Sequence, residues 1–436
     1  MTTSSSSWSV LAHREFRLMF LTQFIVQAGA TIQVASVDWH IWGLTHDKLA
    51  LGLVGLVRVV PIIILSLLGG VVSDAVDRRR LLLVTQSLTL IVTAILAIAV
   101  LSGHESVLLI YVITAIIAGL VAFDGPARYA LLASLIPVEE VGNAARLNVV
   151  LFTVTAVLGP LVASVILIFK QSGFNYALSA IAVIPSVAVL RILVAPPVPP
   201  GEKREISLQA MKEGLQFIFR IPVLWSSMIM DFIATFFASA LALLPVYATE
   251  ILNKDTVGLL SFAEVRYGLL RAAPFVGAAL GAVIMAQYGS RLKQQGEIML
   301  AAVAVYGLAT ALFGISEIFG ASLLALVVVG FSDSVSASIR NALRQVLTPS
   351  RLRGRMQSVM TIFFQGGPQL GEFEAGALAQ ATSTPFSVVS GGFFTVIAVG
   401  LIALTIPALR HYREMPIEAD PLPTVDPVES VSNTMI

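Results

Sequence analysis

The chain has 436 residues, of which 57% belong to the hydrophobic set and 12% are charged, against about 25% charged in an ordinary soluble domain. Lysine plus arginine (27) nearly cancels aspartate plus glutamate (26), which excludes a disordered polyelectrolyte and a basic nucleic-acid binder. With no cysteine, a disulfide scaffold, a thiolate metal site and a cysteine nucleophile are excluded as well.

The apolar residues come in blocks long enough for a membrane, about 20 residues for each crossing of ~30 Å. After Arg14 and Arg17 they run over 18–43, 51–72, 81–102, 107–127, 147–169 and 174–194. The stretch 195–220 then turns polar and proline-rich. Six more blocks follow at 221–246, 268–288, 298–319, 321–339, 356–380 and 386–409. The N-terminus MTTSSSSWSV lacks a basic start and its first apolar block is too long for a signal-peptide core, so it is expected to remain as an anchor. With both termini placed in the cytoplasm, twenty-one Lys and Arg fall on the cytoplasmic side, among them Arg78, Arg79, Arg80, Arg291, Arg351 and Arg410. Only Lys48, Lys170, Lys254 and Arg266 fall on the other, and Arg58 and Arg271 lie inside spans. That bias sets the orientation N-in, C-in.

The chain also repeats itself. Leu68–Gly69 and Arg79 recur 212 residues later as Leu280–Gly281 and Arg291, and Arg128 and Pro137 recur at the same offset as Arg340 and Pro349. Gly159–Pro160 matches Gly367–Pro368 at an offset of 208. The expectation is an all-α integral membrane protein of twelve transmembrane helices in two six-helix pseudo-symmetric bundles. Residues 1–200 form the N-terminal bundle, 201–220 a cytoplasmic linker with a short amphipathic helix, 221–412 the C-terminal bundle and 413–436 a disordered cytoplasmic tail. Parallel halves of this kind place substrate between them near the membrane midplane.

The segment from Gly70 through Asp74, Asp77, Arg78 and Arg79 resembles the loop 2–3 signature of the major facilitator superfamily. It departs from the usual pattern at Ala75, where an arginine is expected, and at Asp77, where glycine is common. The stretches FDGPARYALLASLIP (123–137), LRGRMQSVMTIFFQGGPQLGEFEAG (after Arg351) and ALRHYRE resemble the branch that holds the enterobactin exporters and related proton-driven exporters. The resemblance implies the major facilitator fold. It also implies a latch role for Asp74 and an anchoring role for Arg78 and Arg79 at the cytoplasmic face. The C-terminal copy has Ala286 where Asp74 would align, so only one half can make this contact. Gly159–Pro160 falls where exporters carry a glycine-rich antiporter motif, here degenerate at Thr155 and Arg146. Gly159, Pro160, Gly367 and Pro368 are expected to bend helices and allow close crossings.

A charge at the centre of a span costs ~2.5–3.5 kcal/mol on insertion scales, so intramembrane charges are candidate sites. Asp231, about ten residues into span seven, is the first choice for a protonatable or substrate-contacting group, with Glu372, Asp38 and Asp333 behind it. Arg58 and Asp38 are placed to pair across the outer half of the N-terminal bundle. Asp38 lies beside Trp39, His40 and Trp42, which read as outer-rim anchoring; His40 reads as a belt residue or, less simply, a proton relay. Asp333 is seven residues before Arg340, on the same face. Glu372 and Glu374 are two apart and point about 200° from each other, so both cannot face one cavity.

No P-loop and no metal-ligand spacing occur in the sequence, and no nucleophile–base constellation stands out, so neither an enzyme nor a cofactor is expected, the proton gradient being the energy source. The reading is a proton-coupled exporter of a small amphipathic molecule, a siderophore or drug, acting by alternating access. It is placed as a monomer in the bacterial inner membrane. The expected partners are a small-molecule or lipid substrate, protons and the bilayer, without nucleic acid. Two alternatives stand beside it: a lysophospholipid flippase, which the PARYALL segment (126–132) also resembles, and a non-transporting partner or sensor on the same fold.

Overall fold

A computed structural model describes residues 9–193, 216–254, 257–349 and 353–412; within these, the side chains of 67–71, 73–75, 290, 353–363 and 365 are not described. In chain order the long helices are α1 (Arg14–Thr45), α2 (Lys48–Ala75), α3 (Arg78–Leu101), α4 (Val107–Ser134), α5 (Val141–Leu167) and α6 (Ser172–Ile192). The second series is α7 (Pro222–Phe237), α8 (Ala263–Tyr288), α9 (Gln295–Ile315), α10 (Phe319–Leu347), α11 (Arg353–Ala381) and α12 (Thr384–Thr405). Among the described residues, eleven helical segments are long and apolar enough to cross a membrane. The helix expected as span eleven is α11, 29 residues long. The linker expected at 201–220 and the tail at 413–436 fall largely outside the described residues.

Most helices outrun the apolar blocks, because the sequence supplies helix formers and caps beyond them. Asp47 accepts from the amides of Leu49 and Ala50 to start α2, Ser106 from Leu109 to start α4, and Ser383 from Phe386 to start α12. These side chains satisfy amides that the first helical turn leaves without partners. Span seven departs from expectation. The uninterrupted helix anticipated over 221–246 stops at Phe237 and resumes as a short 3-10 turn (Leu241–Leu243) and a π-turn (Tyr247–Ile251). Pro245 removes a ladder donor there, and the hydroxyl of Ser239 at the break donates to the carbonyl of Pro368 on α11.

Since successive helices alternate in direction, the starts of odd-numbered and ends of even-numbered helices share one face with the first and last described residues, called here the terminal face; the opposite one is the far face. Within the first half α2 packs on α4, α3 on α6 and α1 on α5 and α6; within the second, α8 packs on α10, α9 on α12 and α7 on α11. Among the described residues the most extensive packing between halves is of α2 with α11 and of α5 with α8. Both are close crossings through glycine: a methyl on Gly376 would come within 2.6 Å of the Gly52 Cα, and a methyl on Gly268 within 2.9 Å of the Pro160 carbonyl oxygen.

The hydrophobic core reveals which ends are joined. Toward the far face one continuous core takes in Ile41, Leu51, Val54 and Tyr176 of the first half with Leu243, Tyr247, Leu270 and Ala375 of the second. Toward the terminal face each half has its own: Phe16, Met19, Leu82 and Leu131 in one, Met230, Met299, Val303 and Ile339 in the other.

The α8–α10 crossing depends on Gly330, where a methyl would overlap the carbonyl oxygen of Pro274, whereas Gly400 on α12 has open space. Gly330→Val is expected to destabilise by about 1–3 kcal/mol and to lower the Tm of detergent-solubilised protein by several degrees. Gly400→Val should leave the Tm within the roughly 0.5 kcal/mol range of neutral surface changes.

Candidate functional site

Four charged side chains meet where the halves join near the far face. Asp38 is seven residues before the end of α1, Arg58 ten after the start of α2, Arg271 eight after the start of α8 and Glu372 nine before the end of α11. At 1.5 Å per residue all four lie about 10–15 Å inside the far ends of their helices. Asp38 bridges the halves: its Oδ1 accepts from Arg58 Nη2 at 3.2 Å and its Oδ2 from Arg271 Nη1 at 2.5 Å. Arg58 Nη1 in turn lies 3.9 Å from Glu372 Oε2. The cluster holds two acids and two bases, one of each from either half. Such balance is required, because a buried charge left alone costs several kcal/mol; the side chains of all four are 12% exposed or less.

Neutral groups close the joint around this cluster. The Tyr267 hydroxyl donates to the Ala35 carbonyl at 2.8 Å and accepts from Arg271 at 3.2 Å. Trp42 Nε1 donates to Thr249 Oγ1 at 3.0 Å, and the Lys48 amide to Gln380 Oε1 at 3.2 Å. The anchoring role anticipated for the end of α1 therefore gives way to another. Trp42 is buried with 2% exposure, and Trp39 lies against the Tyr267 ring at 5.2 Å; both belong to the joint between halves rather than to an interfacial belt. His40 is likewise buried, with Nδ1 3.1 Å from the Tyr176 hydroxyl and Nε2 3.5 Å from Glu105 of the α3–α4 turn.

Asp231 and Asp333 form a second cluster, wholly inside the second half. Arg340, almost fully buried, places Nη2 at 2.6 Å from Asp231 and 3.5 Å from Asp333, and donates through Nη1 to Ser336 at 2.7 Å. The equivalent arginine of the first half, Arg128, pairs at 2.8 Å with Asp124, which also accepts from Thr85 and Gln86. Asp124 and Ser336 are 212 positions apart, so the acid beside this arginine is local in one repeat and borrowed from α7 in the other. The Asp333 side chain is 48% exposed. With Asn341 and Arg344 further along α10 it makes a partly exposed polar strip down one face of the helix, while Leu324 and Val346 are exposed on another. In the first half, Gln23 donates to Asn148 at 2.8 Å and Asn148 to the exposed Tyr129 hydroxyl at 3.1 Å. Glu372 and Glu374 do diverge: the first is buried against Arg58, the second half-buried elsewhere.

The motif residues divide. Asp77 caps α3 through the Arg80 amide at 3.0 Å. Arg79 donates to the carbonyls of Leu190 and Arg191 at 2.6 and 2.5 Å, fastening α3 to the negative end of α6. Gly70 and Asp74 are on α2, but the Asp74 side chain lies outside the description. Helices α5 and α11 run unbroken through Pro160 and Pro368. Gly159 packs on Thr31 and Gly367 on Thr235, so both glycines serve close crossings within their own halves.

Arg271 stands out in the sequence only as an intraspan charge. The signal that marks it is a second repeat, Gly55-Leu-Val-Arg58-Val-Val-Pro61 against Gly268-Leu-Leu-Arg271-Ala-Ala-Pro274, 213 positions apart. The pseudo-symmetry thus makes Arg58 and Arg271 counterparts, each on the helix that crosses to the other half. By the 208-residue offset Ser164 is the counterpart of Glu372, and it is against Ser164 that Gly268 packs, as Gly55 packs against Glu372.

A family model described as transmembrane secretion effector, of the major facilitator type, matches residues 5–430. This chain belongs to that family. It is a multi-pass membrane transporter and not an enzyme. Curated relatives include the enterobactin exporter EntS of Salmonella typhi, 26% identical over 94% of this chain and 96% of the relative. EntS of Escherichia coli K12 is 25% identical over 93% and 94%. Among solved structures, the nucleoside transporter NupG superposes with a TM-score of 0.70 at 14% identity, covering 92% of this chain and 100% of its own. A bacterial homolog of the human lysosomal transporter Spinster, inward-facing and unoccupied, gives 0.69 at 16% identity, covering 92% and 99%. These structures share the transporter fold.

Removing the shared acid is expected to be the costliest single change at the joint. Asp38→Asn leaves two buried arginines without their common partner, and breaking a buried pair in this way costs about 3–5 kcal/mol. Thermal unfolding in detergent should show a clearly larger Tm loss for Asp38→Asn than for Asp333→Asn, whose carboxylate is half exposed.

Proposed function

We propose that this protein is a proton-coupled exporter of a small amphipathic molecule, a siderophore or a drug-like compound, working by alternating access in the bacterial inner membrane with both termini in the cytoplasm. The observation that carries the reading is the distribution of core and charge. One core and a charge cluster join the halves at the far face, whereas separate cores and a polar strip occupy the terminal side. Polar side chains exposed on a membrane helix are tolerated where they line water, so the strip from Asp333 to Arg344 and the Gln23–Asn148–Tyr129 chain face an aqueous cavity open to the cytoplasm. The conformation is then the loading state of an exporter, sealed outside by Asp38, Arg58, Arg271 and Glu372. The names of the EntS relatives support export and a siderophore-like cargo.

Coupling requires a carboxylate whose surroundings differ between the two states. Asp231 and its partner Arg340 both sit in the second half and move together when the halves rock, so their pairing at 2.6 Å is retained. Glu372 faces the other half, and the cross-half arginine beside it, Arg58, is 3.9 Å away. Weight accordingly shifts from Asp231 to Glu372 as the proton-carrying group. Rocking changes its partners and its access to water, the two quantities that decide whether a carboxylate keeps its proton.

In proteoliposomes with an imposed pH gradient, transport of a siderophore or a dye is expected to depend on the gradient and to collapse with an uncoupler. Glu372→Gln should cut gradient-driven transport at least tenfold while downhill exchange persists, and Asp231→Asn should act mainly through stability. Scrambling of a labelled lysophospholipid without gradient dependence would instead assign a flippase.

A further inference from the structure

The far-face cluster has a property that a simple latch does not need. Each half contributes one acid and one base: Asp38 and Arg58 from the first, Glu372 and Arg271 from the second. In the joined state the bonds between halves are Asp38–Arg271 at 2.5 Å and Arg58–Glu372 at 3.9 Å. One bond within a half, Asp38–Arg58 at 3.2 Å, is already made. Arg271, the base of the same half as Glu372, is joined to it in the cluster through Asp38 and Arg58.

We propose that the far face opens by partner exchange in this cluster. The cross-half bonds Asp38–Arg271 and Arg58–Glu372 give way to the within-half pairs Asp38–Arg58 and Arg271–Glu372, so while Glu372 is ionised neither half carries an unpaired charge in either state; protonation of Glu372 takes the open-state partner from Arg271 and favours return to Asp38. The proposal rests on the alternating-access reading and adds how the gate avoids exposing lone ions to a low-dielectric interior. A latch of one cross-half pair leaves two stranded charges on separation, each costly inside a membrane. Here the acid that loses Arg271 keeps Arg58, and Arg271 receives Glu372. The repeat Gly-Leu-x-Arg-x-x-Pro places the two arginines as counterparts on α2 and α8, the helices that cross between halves, so the same separation frees both together. The neighbouring groups that share the site are Tyr267 from α8, Tyr176 from α6, and His40 of α1, which faces Glu105.

Two double variants with the same residues and total charge separate exchange from a plain latch. Arg58→Glu with Glu372→Arg preserves the cross-half pairing but leaves two acids in the first half and two bases in the second. Exchange therefore predicts a far face held closed. Asp38→Arg with Arg58→Asp preserves pairing inside the first half but sets like charges against each other across the joint, and predicts a far face held open. Because the chain has no cysteine, spin labels attached through Gln171→Cys and Asn253→Cys on the far-face turns can report the distance between halves in reconstituted protein. The expected result is a shift of the closed-to-open ratio by more than tenfold in opposite directions for the two variants. The fourfold reversal (Asp38→Arg, Arg58→Asp, Arg271→Glu, Glu372→Arg) should return the wild-type distribution, which guards against mere misfolding. A cross-half swap with wild-type distances would overturn exchange and leave a simple latch. Distances that never change, in wild type or in any variant across pH and added siderophore, would overturn alternating access itself.

Discussion

The carboxylate of Asp38, held by an arginine from each half, is the interaction on which the arrangement of this transporter turns. It is buried within a joint where water cannot compensate a lost partner, and of its two bonds the one to Arg271 ties the halves together at the far face. Around it the sequence supplies what a buried ion cluster needs: balanced charge, a tyrosine hydroxyl that shares the second arginine, and a seal of tryptophan and backbone hydrogen bonds above. The glycine crossings of α2 with α11 and α5 with α8 bring the helix axes close enough for short contacts between these side chains.

Duplication explains both the order and the asymmetry of the molecule. The repeated arginine of the fourth helix in each half is retained as Arg128 and Arg340, and that of the second helix as Arg58 and Arg271, while their acids have been redistributed. In the first half Asp124 neutralises its arginine on the same helix; in the second the corresponding position is Ser336, and Asp231 reaches in from α7. Likewise Glu372 stands where the first half has Ser164. A symmetric backbone thus carries an asymmetric set of charges.

The break in α7 belongs to the same region. A helix interrupted beside a proline frees backbone groups that must be satisfied inside a membrane. Here the Tyr306 hydroxyl donates to the Ala238 carbonyl and the Arg266 guanidinium to the Ala248 carbonyl, while the Tyr247 hydroxyl donates to Gly314. The irregular segment lies in the continuous far-side core, where both halves cover it.

Much was legible in the sequence because the bilayer imposes it. Block length and Lys/Arg sidedness specify membrane helices and an expected orientation, and the 212-residue offset specifies two like halves; each follows from local composition. The pairing of Asp38 with Arg58 was also readable, as their depths follow from counting along adjoining helices. What counting could not give is contact between helices distant in the chain. Arg271 reaches Asp38 across 233 positions, and Glu372 reaches Arg58 only because α11 crosses α2. The same limit misplaced Trp42 and His40 as rim residues, since an aromatic near a helix end looks alike whether it faces lipid or the other half. Composition decided that this chain lives in a membrane and is built twice; tertiary packing alone decided which of its few buried charges meet, because their partners are set by helix crossing and not by sequence distance.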